Sequence, residues 1–126
     1  MLTPVEPPVR IDISSCRAVS QGTWHVTWQI TNEGPSPLEI QDAWIPHGRF
    51  RGEGHVPLSL QIPGGQSAPV ELNVFATEPP GTVVENAFLI LRIGNRWRVF
   101  TRMTVSFDSQ ASMFPVIESV TSQSLQ

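Results

Sequence analysis

The side chains of this chain that could do chemistry are few: three histidines, one cysteine and eleven carboxylates among 126 residues. His47 and His55 fall in the glycine-rich stretch 46–57, PHGRFRGEGHVP, with Glu53 or Asp42 as the third ligand that a metal would need. A His-x7-His spacing on such a loop matches no recognised ligand pattern, so the pair are weak metal candidates only. The chain carries no G-x-S-x-G elbow, no phosphate-cradling glycine loop and no H-E-x-x-H helix, and catalysis, cofactor and metal are all unexpected. Cys16 stands alone, which excludes an internal disulfide and a C-x-x-C clip. At the edge of a strand pattern it reads as a small buried apolar residue rather than a nucleophile.

A stronger pattern lies in residues 83–107. Two runs rich in β-branched and aromatic residues flank the short connection Gly94-Asn95-Arg96, which reads as an antiparallel hairpin. A three-residue loop sets Ile93 opposite Trp97, Leu91 opposite Val99 and Leu89 opposite Thr101. Ala87, Leu89, Leu91, Ile93, Trp97, Val99 and Met103 then share the core face. The opposite face carries Phe88, Ile90, Arg92, Arg98, Phe100 and Arg102, a mixture of apolar and cationic groups that a plain solvent face does not need. This face and the loop residues Arg49, Phe50 and Arg51 are the candidate interaction surface, because loops on a rigid scaffold often carry binding groups.

The rest of the chain supplies the scaffold. Residues 1–8 hold three prolines and read as an extended lead-in. Val9, Ile11 and Ile13 begin a strand that bends at Ser14-Ser15 and resumes at Cys16. In 23–31, Trp24, Val26, Trp28 and Ile30 alternate with polar residues, a half-buried strand whose tryptophans fit core packing better than a stacking platform. A turn at 32–37 leads to Leu38, Ile40 and Trp44, where Asp42 marks either a bulge or the sheet rim. Val56–Ile62 is a short strand that Pro57 places at an edge, and Val70, Leu72 and Val74 make another. Residues 108–126, rich in Ser and Gln, read as a tail that is mobile or docked through Met113, Phe114, Val116 and Ile117.

Composition agrees with this division into a lead-in at 1–8, one domain at 9–107 and a tail at 108–126. Twelve prolines, nine glycines and only 15% charged residues favour strands and turns over helices. A net charge of −3 gives no global attraction to nucleic acid or to an anionic membrane. All eight basic residues are arginines, which offer planar, bidentate cations rather than mobile point charges. The N-terminus lacks the basic head and apolar run of a signal peptide, and no stretch is long enough to span a membrane. A cytoplasmic protein without membrane insertion is the expectation.

About seven strands punctuated by Pro and Gly turns describe an all-β, two-sheet antiparallel sandwich with Greek-key links. Over roughly residues 9–107 the chain resembles the immunoglobulin-like superfold. The features that carry the resemblance are the alternating strand with Trp24 and Trp28, the Asn-x-Gly-Pro turn, Trp44 on the third strand, the Pro63-Gly-Gly turn and the terminal hairpin. With no cysteine pair and no tyrosine, the resemblance is to disulfide-free bacterial sandwiches that serve as accessory modules, not to antibody domains. The superfold brings no catalytic residues with it, and the hairpin's outer face and the 46–57 loop point to a non-catalytic binding or assembly module with a protein partner, most simply a second copy of the chain. A carbohydrate-binding module is the alternative, and a small enzyme or metal-binding domain using the 46–57 loop is a further one.

Overall fold

Period-two apolar patterning becomes ten strands and no helix in the computed structural model of the protein, which describes residues 6–125. The expectation for residues 1–5 of the lead-in lies outside that range. The strands are β1 (Val9–Ser20), β2 (Thr23–Asn32), β3 (Leu38–Trp44), β4 (Pro46–His47), β5 (Phe50–Arg51), β6 (Val56–Ile62), β7 (Ser67–Phe75), β8 (Val83–Ile93), β9 (Trp97–Phe107) and β10 (Met113–Ser124). They form two five-stranded sheets, ordered β1-β2-β7-β5-β4 and β10-β9-β8-β3-β6. Every pairing between them is antiparallel. The chain passes repeatedly from one sheet to the other, so the molecule is an all-β sandwich compatible with an immunoglobulin-like fold.

The strand count exceeds the expected seven for two reasons. Part of the 46–57 loop zips into the two-residue strands β4 and β5, which join the first sheet through the pairing of Arg51 with Phe75. Residues 113–124, expected as a tail outside the 9–107 domain, pair along the full length of β9 as an edge strand. They therefore extend the second sheet sideways and do not lie across its face. Pro115 and a register shift between Ile117 and Ser119 interrupt that edge, features that protect an outer strand against pairing with other chains.

The terminal hairpin has the expected register, with Ile93 facing Trp97, Leu91 facing Val99 and Leu89 facing Thr101. Gly94 and Asn95 both adopt positive φ in its turn, a conformation that glycine and asparagine tolerate best. Ala87, Leu89, Leu91, Ile93, Val99 and Met103 are buried, and they meet Val26, Trp28, Ile30, Val70, Leu72 and Val74 from the first sheet in one core. The bend near Ser14 is a register shift between Ile13 and Ser15, and β6 is an edge strand. In β3 a register shift follows Ile40, so that Ile40 and Ala43 are buried while Asp42 and Trp44 pair with the outward-facing Arg92 and Ile90.

Two polar atoms in this core have no hydrogen-bond partner, Trp28 Nε1 and Thr101 Oγ1. An orphaned buried hydroxyl costs about 1–3 kcal/mol of desolvation that nothing returns. Thr101→Val keeps the branched shape and removes that group. It is expected to leave stability unchanged or to raise it by about 1 kcal/mol, read as a shift of the urea midpoint at constant m-value.

Candidate functional site

The two solvent faces of the sandwich differ in chemistry. On the first sheet, outward positions of β1, β2 and β7 are mostly polar, with Pro69, Phe75 and the exposed Val19 scattered among them, and several are paired with one another. Arg10 pairs with Asp12 and Glu33, His25 bridges Glu71 and Asn73, and the Thr31 and Ser67 hydroxyls share a hydrogen bond. That is an ordinary hydrated face. The second sheet presents cross-strand rows of another kind. Val83, Ser106 and Phe114 form one; Thr104 and Val116 the next; then Phe88, Arg102 and Ser119; then Trp44, Ile90, Phe100 and Thr121; and last Asp42, Arg92, Arg98 and Gln123. Of the five large apolar residues standing exposed among the described residues, Val83, Phe114 and Val116 lie on this face and Leu125 borders it.

Within the face the aromatic groups are ordered by one another. Phe88 and Phe100 meet edge-to-face, with centroids 6.2 Å apart, a geometry favoured by the ring quadrupoles. Trp44 stacks on His55 at 4.4 Å with an interplanar angle of 23°. The His55 Nδ1 lies 3.0 and 3.2 Å from the two Asp42 oxygens, a contact that makes this nitrogen the donor and turns Nε2 away from the carboxylate. Asp42, Trp44, His55, Ile90, Arg92, Arg98 and Leu125 together line a shallow recess of about 260 Å3.

The arginines are the unusual part. Arg92 and Arg98 sit directly opposite each other on β8 and β9, a like-charge pairing that destabilises a sheet. Asp42 is the neighbour of Arg92 on β3, yet its carboxylate is taken by His55, and Arg92 instead donates to Asn95 Oδ1 at 2.7 Å. Neither Arg92 nor Arg98 makes an ion pair among the described residues. Arg102 donates from Nε to Ser119 Oγ at 3.2 Å.

The expected surface is therefore brought together in part. Phe88, Arg92, Arg98, Phe100 and Arg102 share the face as the alternation requires. Ile90 is only 8% exposed, covered by its neighbours, and is a floor of the recess rather than a contact residue. Phe50 is wholly buried; the ladder between β5 and β7 turns its ring into the core, so it is withdrawn from the surface. Arg49 forms an ion pair with Glu78, and Arg51 lies on β5 in the first sheet, away from the hairpin's face. His47 and His55 are also separated. The His47 ring accepts the Arg49 backbone N–H at 3.0 Å, and no group of three or more His, Cys, Asp or Glu side chains among the described residues is placed to hold a metal ion. Cys16 is half-buried, its thiol 3.6 Å from the Met113 carbonyl oxygen, and burial pushes its pKa up to about 11. The thiol is therefore protonated at neutral pH and a poor nucleophile.

Three contributors to the recess, Asp42, Trp44 and His55, escaped sequence reasoning as members of one site. The signal for them was the break in alternation at Asp42, which turns Trp44 outward if read as a bulge. Compared with known proteins, the chain matches no family model, and no curated protein matches it. No helix among the described residues is long and apolar enough to cross a membrane.

Proposed function

We propose that the chain is a non-catalytic, immunoglobulin-like module of the disulfide-free accessory kind, and that the outer face of its second sheet docks an acidic protein. The observation that carries this reading is the coincidence, on one face, of the exposed apolar residues Val83, Phe114 and Val116 with the arginines Arg92, Arg98 and Arg102. Aromatic residues and arginine are the types enriched at protein interfaces. Arg92, Arg96, Arg98 and Arg102 put half of the chain's basic residues into eleven positions that contain no carboxylate, a local cationic field in a molecule of net charge −3. A second copy docking through the same face about a two-fold axis would set arginines against arginines, so a partner that presents carboxylates is the better fit. A sugar suits the face less, because one side of the Trp44 ring is already covered by His55.

The test uses Arg98→Glu and Phe100→Asp beside the wild type, with extracts of the native organism and quantitative mass spectrometry of what each retains. Arg98 is exposed, and its charge reversal relieves the pairing with Arg92, so melting of that variant is expected to be unchanged or raised. Retention of an acidic protein by the wild type, lost in both folded variants and weakened by added salt, is the expected result. Equal retention by all three, or none by the wild type, removes the proposal. Light scattering that shows a wild-type dimer dissociated by Arg98→Glu would move the assignment to self-association.

A further inference from the structure

The recess beneath Trp44 has a narrower chemistry than the face around it. Its volume of about 260 Å3 falls below the usual range for sites that enclose a whole drug-sized molecule, roughly 300–1,000 Å3; it suits one side chain. Its apolar lining comes from the buried Ile90 and the exposed Leu125, and one wall is the Trp44–His55 stack. Its rim holds the two guanidiniums of Arg92 and Arg98, which face each other across the hairpin with no carboxylate among the described residues paired to either. Arg92 spends one N–H on Asn95, which leaves four of its five donors, and none of the Arg98 donors is engaged by a described residue.

We infer that this recess is the anchor point of the docking face and that it takes a carboxylate side chain of the partner, flanked by apolar residues. The inference rests on the docking reading above and adds the partner's local chemistry. A carboxylate placed between Arg92 and Arg98 replaces their mutual repulsion with charge-assisted hydrogen bonds to both. The Asp42 carboxylate is hydrogen-bonded to His55 Nδ1 and forms no ion pair with Arg92 or Arg98. That contact also fixes the imidazole against Trp44, so the wall is formed before any ligand arrives and little ordering is needed on binding. Apolar neighbours on either side of the incoming carboxylate would lie over Leu125 and over the Phe88–Phe100 pair, of which Phe100 shares the row of Ile90 and Phe88 stands one row further along the sheet.

The experiment is an NMR titration of the full chain with a blocked pentapeptide carrying a central glutamate between two leucines. The same peptide with glutamine at the centre is one control, and sodium acetate at matched ionic strength is the other. Saturable shifts at the Trp44 indole N–H and at the Arg92 and Arg98 Nε signals are expected for the glutamate peptide. The glutamine peptide is expected to bind at least about tenfold more weakly, as loss of a charged hydrogen-bond pair implies. Arg98→Gln, at an exposed position that leaves folding intact, should reduce affinity by a similar factor. Equal binding of the two peptides, shifts confined to another part of the surface, or an acetate response as strong as the peptide's would overturn the inference. If the peptide fails while partner retention still depends on Phe100, the anchor is wrong and the docking face stands. If the peptide binds at the recess while no partner is retained, the recess stands and the wider face fails.

Discussion

Replacing Trp28 with alanine is expected to lower the unfolding free energy by about 3–5 kcal/mol, the range for removing a large aromatic from a packed interior. Trp28 is fully buried and heads the largest wholly enclosed side chains of the molecule. It sits on β2 between Ile13 of β1 and Val70 of β7, so its ring covers the middle of the first sheet where the second packs on it. The unpaired indole N–H tempers the loss, since alanine also removes a polar atom that has no acceptor. Trp28→Phe isolates that effect: it keeps most of the ring and discards the N–H, and it is expected to cost less than half as much as alanine. Urea unfolding of both variants, with the m-value checked for constancy, decides the matter. A loss for alanine below about 0.5 kcal/mol, the range of surface changes, would mean that the ring is not in the core.

A comparable loss, about 3–5 kcal/mol, is expected for Asn32→Ala, on polar rather than apolar grounds. Asn32 is completely buried at the end of β2. Its Nδ2 donates to the carbonyls of Ser36 at 2.8 Å and Ile62 at 3.0 Å, and its Oδ1 accepts the Gly34 N–H at 3.0 Å. Its backbone closes the same knot, the N–H reaching Gln66 and the carbonyl receiving Gly65. The side chain therefore ties together the crossover that leaves the first sheet and the turn that returns to it. Gly64 packs so closely on the Pro35 backbone there that a Cβ would lie 2.5 Å from its carbonyl oxygen. Alanine strips three backbone groups of their partner, each worth about 1–3 kcal/mol when left buried, with the outer ones partly recovered by water. Asn32→Asp has a distinct signature. The carboxylate would face two carbonyl oxygens, which disfavours its charged form and raises its pKa in the folded state. Stability is then retained at low pH and lost as pH rises through that value, so the deficit against wild type should be smaller at pH 4 than at pH 7. A deficit independent of pH would show that the side chain does not face those carbonyls.

The sequence disclosed the parts of the fold in which a strand is flanked on both sides. The register of the terminal hairpin followed from the turn at Gly94-Asn95 and from the alternation of Ala87, Leu89, Leu91 and Ile93, because each of those positions is enclosed and must be apolar. It hid β10 for the converse reason. At the edge of the sheet, Ser119–Ser124 bury little and need no apolar period, so a well-paired strand carries the composition of a tail. Phe50 was misplaced because a two-residue ladder is too short to have a period. The outer face was half legible: Phe88, Arg92, Arg98, Phe100 and Arg102 came from the hairpin alone. Trp44, Asp42 and His55 joined it only through a register change and a contact between residues eleven apart, which no local pattern encodes.

That register change has a consequence for how such a face is inherited. Relative to β8, Gln41 is the extra residue of β3: Ile40 pairs with Ile93 and Asp42 with the very next position, Arg92. Gln41 accepts the Asn95 backbone N–H, and the ladder with β8 does not require it, although on the other side it stands opposite the two β6 residues between Leu60 and Pro57. Loss of residue 41 would leave Asp42 and Trp44 facing outward, whereas loss of residue 43 would send Trp44 into the sandwich and Ile45 to the surface. A single codon gained or lost beside Trp44, with every other side chain kept, separates a strand that builds the recess from one that does not.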